Sequence, residues 1–350
     1  MSTIVPALLK ILPKLIGNFS HVVFTPKKEL LVQSMGSTIR VRLKEDLGGL
    51  EEPISIPFAA LSPALANRKD PTLHLKNGAF CITDKAYKVD LNYQQQLAPI
   101  TVEVLEGEEF EINAEVCIAI SSCLPALMLD KIHSNQPDPL LSVSFSAKRI
   151  FLGVNDRFQL AFTTTSAPEG APTGTTFQMP YGKAVSLFKE STGSTLKMVV
   201  TDEGAYIQVK LAGLATELSL SWPKDDQAAT VETVMEKAKA ISGITGAEIK
   251  LEKTLVQQFL DNSKAISVDD TRIKFNIEGK FLILSAESSS GKMKAKLPLE
   301  YSSQDTSFIL EHRFVNSLMK KLDDQISLIY SDGMLKTTSS KLSFVTITST

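Results

Sequence analysis

Extended apolar runs on either side of a tight turn occur three times along the chain. A run of alternating or continuously apolar residues precedes each turn, and a similar run follows it. The three segments are His21–Val32, Leu141–Leu152 and Ile273–Leu284. Such runs around Pro, Ala-Lys or Gly-Lys turns predict β-hairpins. Their wide spacing predicts a repeated unit of about the size of a domain, longer than the repeats of solenoids or propellers.

A second repeated pattern is a short strand that leads into a helix. It occurs at Ile54–Leu61, Phe177–Ala184 and Phe308–Val315. Pro57 and Pro180 fall where the first helical turn is expected, and there a proline removes no N–H that the helix needs. Each of these helices is followed by another predicted hairpin. Their turns contain Gly78, Gly204 and Gly333, which are 126 and 129 residues apart.

An apolar stretch of helical character precedes the first hairpin of each repeat. The three stretches are Pro6–Ile16, Ile112–Leu129 and Leu251–Ile266. In the last, Leu251, Leu255, Phe259 and Ile266 recur near the helical period and are expected to face a core. Each repeat therefore reads helix, strands, helix, strands. The predicted class is α+β, with three repeated domains that each pack two helices on antiparallel sheet.

The length of 350 residues suits three domains. We expect domain 1 at residues 1–100, domain 2 at 101–225, a linker at 226–246 and domain 3 at 247–350. The linker is charged, then weakly helical, then rich in glycine. A periodic apolar set predicts a short helix within it. That set is Val231, Val234, Met235, Ala238 and Ile241.

Composition narrows the class of protein further. With 43% hydrophobic and 22% charged residues, the chain is not a disordered or fibrous protein. Three cysteines without a CxxC pair and four scattered histidines argue against a disulfide framework or a zinc site, so we expect no metal and no cofactor. Lys10, Lys14 and two prolines interrupt the apolar N-terminal stretch, and no other run is long enough to span a bilayer. We expect a cytoplasmic protein without membrane contact.

Charge is distributed unevenly between the predicted helices and the rest of the chain. The whole chain has a net charge of -2, which excludes coating of nucleic acid by bulk charge alone. Six predicted helical stretches, residues 6–17, 57–69, 113–133, 180–190, 251–264 and 311–321, carry twelve basic and six acidic residues. They therefore sum to +6 and the remainder of the chain to -8. The basic residues are Lys10, Lys14, Arg68, Lys69, Lys131, Lys183, Lys189, Lys253, Lys264, Arg313, Lys320 and Lys321. This partition matters only if the helices share one surface.

Catalytic patterns are weak throughout. Ser288-Ser-Ser-Gly-Lys-Met293 is similar to the end of a phosphate-binding loop, but the first glycine and the Mg²⁺-binding hydroxyl are missing. The acidic pairs Asp269-Asp270 and Asp323-Asp324 are adjacent in sequence, so their side chains point apart and are expected in solvated turns or helix ends. Cys117 and Cys123 are expected to be buried small hydrophobes. We therefore expect a protein that is not an enzyme.

One segment carries a specific family resemblance. Gly153-Val-Asn-Asp-Arg-Phe-Gln-Leu-Ala161 resembles the Ala-Thr-Asp-Gly-His-Arg-Leu-Ala segment in the middle domain of the bacterial-type sliding clamp, the β subunit of DNA polymerase III. Phe177–Phe188 is similar to the strand, proline and helix that follow in that family, and Phe314–Leu322 resembles the corresponding part of its last domain. The resemblance covers nearly the whole chain. Substitutions within the first segment and compact loops favour a divergent, phage-encoded member.

The resemblance implies a function. In this family two crescents close head to tail into a ring, whose helices line a hole around double-stranded DNA while polymerase and clamp loader bind outside. The twelve basic helix residues, together with His133 in a polar loop, would then face DNA. Phosphate contacts of this kind carry no sequence information, which suits sliding. A non-enzymatic structural or adhesive protein of repeated β-rich domains is the alternative, because it would share the hairpins.

The same resemblance implies two protein contacts. Val89 and Leu91 match apolar edge-strand positions that meet the last domain of the second subunit, where Ile266 and Leu260 would be their counterparts in a homodimer. A groove between the middle and last domains would receive short extended segments of the polymerase and the loader. Its matching positions are Asn155, Arg157, Leu160, Pro223, Phe344 and Thr346.

Overall fold

The structure is a computed structural model that describes most of the chain. The described residues are 4–34, 37–43, 47, 49–66, 68, 71–85, 87–95, 100–101, 104–127, 138–156, 159–210, 217–226, 228–266, 271–340 and 342–347. At residues 4, 5 and 342–347 the structure describes the backbone but not the side chains. Within these residues no helix is long and apolar enough to cross a membrane.

Helices form in every region where the sequence predicts one. They are α1 (Ile4–Ile16), α2 (Phe58–Leu65), α3 (Ala114–Cys123), α4 (Tyr181–Glu190), α5 (Val231–Ser242), α6 (Lys253–Ser263) and α7 (His312–Met319), with a 3-10 turn at Leu124–Ala126. In α1, Leu8, Leu12 and Leu15 are fully buried at helical spacing. The predicted linker helix is confirmed as α5, whose first turn is capped by the Thr230 hydroxyl accepting from the Thr233 N–H.

Three predicted details differ in the structure. The apolar stripe assigned to residues 251–266 is wrong in phase, because Leu251 lies in a strand and α6 begins two residues later. The buried face of α6 instead contains Val256, Phe259 and Leu260, which are spaced as one helix face. Pro57 and Pro180 are not inside the first helical turns, since each is the residue that caps its helix.

Strands make up most of the remaining described residues. They are β1 (His21–Thr25), β2 (Glu29–Ser34), β3 (Ser37–Arg42), β4 (Ile54–Pro57), β5 (Thr72–Lys76), β6 (Ala79–Asp84), β7 (Tyr87–Leu91), β8 (Gln94–Gln95), β9 (Glu109–Ile112), β10 (Leu140–Phe145), β11 (Arg149–Asn155), β12 (Gln159–Ser166), β13 (Thr176–Pro180), β14 (Leu196–Val200), β15 (Gly204–Lys210), β16 (Glu217–Pro223), β17 (Ala247–Glu252), β18 (Arg272–Glu278), β19 (Phe281–Ser288), β20 (Gly291–Pro298), β21 (Tyr301–Ser302), β22 (Thr306–Glu311), β23 (Gln325–Ser331), β24 (Met334–Ser339) and β25 (Leu342–Ile347).

The predicted hairpins are confirmed. The first set pairs β1 with β2, β10 with β11 and β18 with β19, all antiparallel. The second set pairs β5 with β6, β14 with β15 and β23 with β24. At two of these turns, Asn77-Gly78 and Asp332-Gly333, both residues have positive φ. This geometry matches the right-handed twist of the flanking strands, which explains why glycine follows Asn or Asp there.

Contacts divide the chain into two compact units. Unit 1 contains Met1–Ser121, Ser146–Lys148 and Ala167–Ala228, and unit 2 contains Ser122–Phe145, Arg149–Ser166 and Ala229–Thr350. Unit 1 holds a sheet in the order β8-β4-β1-β2-β3-β16-β15-β14-β9 and a second of β5-β6-β7. Unit 2 holds a sheet that runs β10-β11-β12-β25-β24-β23-β17-β21 and a second of β20-β19-β18-β22.

Each large sheet joins strands from two successive repeats. At the first seam β3 pairs with β16, so that Val41 faces Leu218 and Ile39 faces Leu220. At the second seam β12 pairs with β25, and Ala161 lies opposite Phe344 in the backbone register. Because the middle repeat contributes β16 to one seam and β12 to the other, it is shared between the two units.

Aromatic stacking marks the core of each unit. In unit 1 the rings of Phe24 and Phe80 have centroids 5.3 Å apart. In unit 2 Phe308 stacks on Phe275 at 4.9 Å and on Tyr330 at 5.1 Å, and its side chain is 1% exposed. These stacks pack strands of separate sheets against each other, β1 with β6 in unit 1 and β22 with β23 in unit 2.

Candidate nucleic-acid interface and protein contacts

The described residues of unit 1 that were expected to face DNA lie on or beside α1, α2 and α4. Helix α1 packs against both of the other helices. Lys10, Lys14 and Lys189 are exposed. The Lys14 Nζ forms an ion pair with the Glu190 carboxylate at 3.2 Å, which connects α1 to α4. Lys183 donates to the Ser37 hydroxyl, so its ammonium group is held at the start of β3. Basic side chains thus share the neighbourhood of packed helices in this unit.

Arg68 follows α2 and is directed towards its own unit. Its Nε donates to the Ala64 carbonyl oxygen at 2.5 Å, and its guanidinium carbon lies 5.6 Å from the centroid of the Tyr87 ring. The side chain is half-buried. A guanidinium over an aromatic face is a cation–π contact, so part of the charge of Arg68 is used within the fold.

In unit 2, α6 and α7 pack against each other and carry the remaining described cations. Several of these cations have intramolecular partners. Lys253 donates to the Leu322 carbonyl oxygen at 2.7 Å, Lys264 to Asp261 at 2.7 Å and Lys321 to the Pro125 carbonyl oxygen at 2.6 Å. Arg313 forms an ion pair with Glu311 at 3.0 Å. The Lys264 hydrogen bond lowers the pKa of the Asp261 carboxyl group, so this carboxylate is ionised at neutral pH.

The structure therefore separates the predicted DNA-facing residues into two groups. Lys10, Lys189 and Lys320 are exposed, and within the described part of the chain their ammonium groups have no ion pair or hydrogen-bond partner. The other described members of the predicted DNA-facing set each contact a carboxylate, a carbonyl or hydroxyl oxygen, or an aromatic ring. They are Lys14, Arg68, Lys183, Lys253, Lys264, Arg313 and Lys321. Lys69, Lys131 and His133 lie outside the described residues. The hydrogen-bonding partners named above for Arg68, Lys264 and Arg313 lie within four residues in the chain. Those of the other four are at least 69 residues away, so the sequence carries no signal for them.

The positions predicted for a partner groove lie mainly around the second seam. Asn155 ends β11, and Leu160 lies on β12 with 4% exposure. Phe344 and Thr346 lie on β25, opposite Ala161 and Gln159 in the backbone register. Arg157 lies outside the described residues, as do the side chains of the two β25 positions. Asp156 caps the intervening turn, since its carboxylate accepts from the Gln159 N–H at 2.7 Å.

Two further findings concern this groove. Pro223 ends β16 in unit 1, where it lines a pocket of about 310 Å³ with Trp222 and Thr38. Leu160 is covered by α5, whose Val234 and Ala238 pack against it. The apolar spacing of α5 was visible in the sequence, but the surface that it covers was not.

The predicted subunit contact positions lie at or near sheet edges. β7 is the outer strand of its three-stranded sheet, and Val89 and Leu91 on it are half-buried. Ile266 is also half-buried, beside Gly291 at the start of the outer strand β20. Leu260 is fully buried within unit 2. A buried side chain offers no surface, so among the four positions Val89, Leu91 and Ile266 are placed to form a contact.

Of the remaining chemical candidates, Asp269 and Asp270 lie outside the described residues, and the others have structural roles. Residues 288–293 form the turn between β19 and β20, so no helix N-terminus is present there to hold a phosphate. The Asp323 carboxylate accepts from the Ser340 N–H at 2.6 Å. Cys117 is fully buried, and this burial raises the pKa of its thiol to about 12, while Cys123 is half-buried. A thiol with so high a pKa is not a nucleophile at neutral pH.

Solved bacterial structures are similar to this chain along nearly its whole length. The DNA polymerase III β subunit from Thermotoga maritima is 12% identical, with 99% of this chain and 96% of that chain covered and a TM-score of 0.75. The β subunit from Pseudomonas aeruginosa is 13% identical, with 98% and 97% covered and a TM-score of 0.70. The DNA polymerase sliding clamp from Caulobacter crescentus is 15% identical, with 98% and 97% covered and a TM-score of 0.70.

Sequence comparison alone finds no relative, since neither a protein-family profile nor a curated protein sequence matches the chain. The repeated helices and hairpins define the class of DNA-clamp folds. More narrowly, the chain has the fold of the bacterial DNA polymerase III β subunits, in a divergent sequence. The predicted fold class and the predicted resemblance are confirmed.

Proposed function

We propose that this protein is a sliding clamp, a non-enzymatic processivity factor that acts in the cytoplasm. It would form a homodimeric ring around double-stranded DNA, without sequence specificity, and tether a replicative DNA polymerase after a clamp loader has placed it there. The observation that carries the proposal is the similarity of fold to solved sliding clamps over 97–99% of the chain. The low identity is in keeping with a phage-encoded member.

The domain organisation supports this proposal. Three repeats would form three domains at residues 1–100, 101–225 and 247–350, with residues 226–246 between the last two. Two chains would then supply six domains. Twelve helices, two from each domain, would line the hole, and α5 would lie outside this set.

The charges suit a loose grip on the duplex. Lys10, Lys189 and Lys320 are the described helix-associated cations best able to reach phosphates, because they are exposed and have no described partner. The cations paired with carboxylates, Lys14, Lys264 and Arg313, add little net charge. Exposed charges separated by more than about 8 Å are largely screened at physiological salt. Contacts of this strength attract DNA yet allow movement along it, so retention would come from ring closure.

Ring closure would use the edge strands β7 and β20. An outer strand has unpaired N–H and C=O groups that can extend a sheet across a subunit boundary. Val89 and Leu91 would pack against Ile266 of the second copy. The exposed residues beside them, Lys88 and Asp90, form an ion pair at 2.7 Å that leaves this edge without an isolated charge.

Partner binding would occur at the second seam. There the proposed polymerase and loader segments would contact Asn155, Leu160, Phe344 and Thr346. Apolar anchors dominate the affinity of such sites, whereas polar groups orient the bound segment.

A solution mass measurement with an image of the particle tests the proposal. The expected result is a mass of twice 38.2 kDa at micromolar concentration and a ring with a hole that admits duplex DNA. A compact 38.2 kDa particle without a hole would refute ring formation and favour the structural or adhesive alternative.

A further inference from the structure

Helix α5 is amphipathic, and its apolar face is turned towards the sheet of the second seam. Val231, Val234 and Ala238 are buried at helical spacing, and Ile241 continues the stripe as a half-buried side chain. The opposite face is polar and exposed, with Met235 as its large apolar side chain at 37% exposure. This helix lies entirely within the segment that was predicted to be a linker.

The surface under α5 is a small apolar cluster separate from the aromatic stacks described above. Leu160 and Phe162 of β12 pack against Val234 and Ala238, and Phe151 of β11 contacts the same cluster. The approach is close at Gly153 on β11, where a Cβ atom would lie 2.9 Å from a methyl carbon of Val234. The absence of a side chain at Gly153 therefore leaves room for Val234 of α5 to pack against β11.

Among the described residues, α5 also packs over β10 and β11. Gly243 caps the C-terminal end of the helix, and another glycine, Gly246, immediately precedes β17. Lys336 donates to the Ser242 carbonyl oxygen at 2.7 Å in an exposed hydrogen bond. A helix of 12 residues is marginal on its own in water. Its order therefore depends on the cluster, so helix formation and coverage of Leu160 form one equilibrium.

We infer that α5 is a built-in occupant of the apolar groove above Leu160, and that a partner segment must displace it to reach that side chain. The inference rests on the proposed partner groove. Val234, Ala238 and Ile241 present apolar anchors at intervals of four and three residues, which is how an amphipathic helix fills a groove. The fraction of molecules with α5 displaced sets the apparent affinity for any competing segment, since that affinity falls in proportion to the fraction.

The test uses the full chain and a fluorescein-labelled peptide of residues 229–243, which is α5 supplied in trans. Val234→Glu places a charge in the cluster and should release α5, so this variant should bind the peptide about tenfold or more tightly than the wild type. Met235→Glu is the matched control, because it makes the same charge change one residue away on the exposed face, and it should bind like the wild type. Adding Leu160→Asp to Val234→Glu should abolish peptide binding.

Hydrogen exchange on the wild type gives a second measurement that requires no variant to fold. The amides of 231–242 should exchange faster than those of β11 and β12, because α5 opens without unfolding of the sheet. Exchange of α5 only together with β11 and β12 would overturn the inference, as would equal peptide binding by the wild type and Val234→Glu. Neither measurement uses DNA, so failure here is distinguishable from failure of the proposed clamp function.

Discussion

Replacing the three unpartnered lysines by alanine should change the salt dependence of DNA binding. Lys10, Lys189 and Lys320 are exposed and without a described partner, so each is free to neutralise a phosphate. The logarithm of affinity falls with the logarithm of salt concentration by about 0.9 for each phosphate neutralised. Two chains supply six such lysines, so the slope should lose up to about 5.

The assay is fluorescence anisotropy of a labelled linear duplex over a salt series. Between about 50 and 200 mM salt, six phosphate contacts are worth about a thousandfold in affinity. Across this range the affinity of the wild type should therefore fall by up to about a thousandfold more than the affinity of the triple variant. Both proteins should approach the same weak binding at high salt.

The matched control replaces Lys14, Lys253 and Lys321, which removes the same charge. These lysines are held by Glu190, by the Leu322 carbonyl oxygen and by the Pro125 carbonyl oxygen. Their loss should lower the midpoint of thermal unfolding and leave the salt slope close to that of the wild type. An equal loss of slope in the two triple variants would refute the distinction between free and partnered cations.

Three further predictions concern the fold and the edges. The double variant Val89→Asp, Leu91→Asp should sediment as a 38.2 kDa monomer instead of a dimer of twice that mass. The control Val104→Asp, at a position with 54% exposure, should remain a dimer. If both variants sediment as dimers, the edge contact is contradicted. Phe308→Ala removes stacks on Phe275 and Tyr330 and should cost about 3–5 kcal/mol in urea unfolding, and a loss below 1 kcal/mol would mean that the core closes around the gap. Burial raises the pKa of the Cys117 thiol to about 12, so its thiolate fraction at pH 8 is about a thousandfold below that of an ordinary thiol. Mass spectrometry after alkylation should therefore find Cys123 modified before Cys117. Equal alkylation rates at pH 8 would contradict the burial of Cys117.

Local patterns predicted most of the fold. Hairpins, the strand that enters each helix and the linker helix follow from spacing and turn residues, because these depend on near neighbours in the chain. The stripe assigned to α6 failed for a physical reason. Leu251 is buried in β17 while Phe259 is buried in α6, and an apolar residue at a strand end has the same appearance in the sequence as one on a helix face.

The candidate site was harder to predict because it depends on contacts that are distant in sequence. Lys321 contacts a carbonyl oxygen 196 residues away, and the helix covering Leu160 begins more than 70 residues later. Neither charge counting nor apolar periodicity carries that information. The burial of Leu260, in contrast, follows once α6 is known to begin at Lys253. Leu260 is next to Phe259 on the buried face of that helix.

Release from circular and linear DNA tests the encircling claim most directly. Clamp would be loaded on a nicked circle, washed at high salt, and followed before and after the circle is cut. A threaded ring has no end to leave from, so the wild type should remain on the circle and dissociate once the DNA is linear. The triple variant lacking Lys10, Lys189 and Lys320 should load less well but, once loaded, remain as long as the wild type. Equal release from circular and linear DNA would contradict the account.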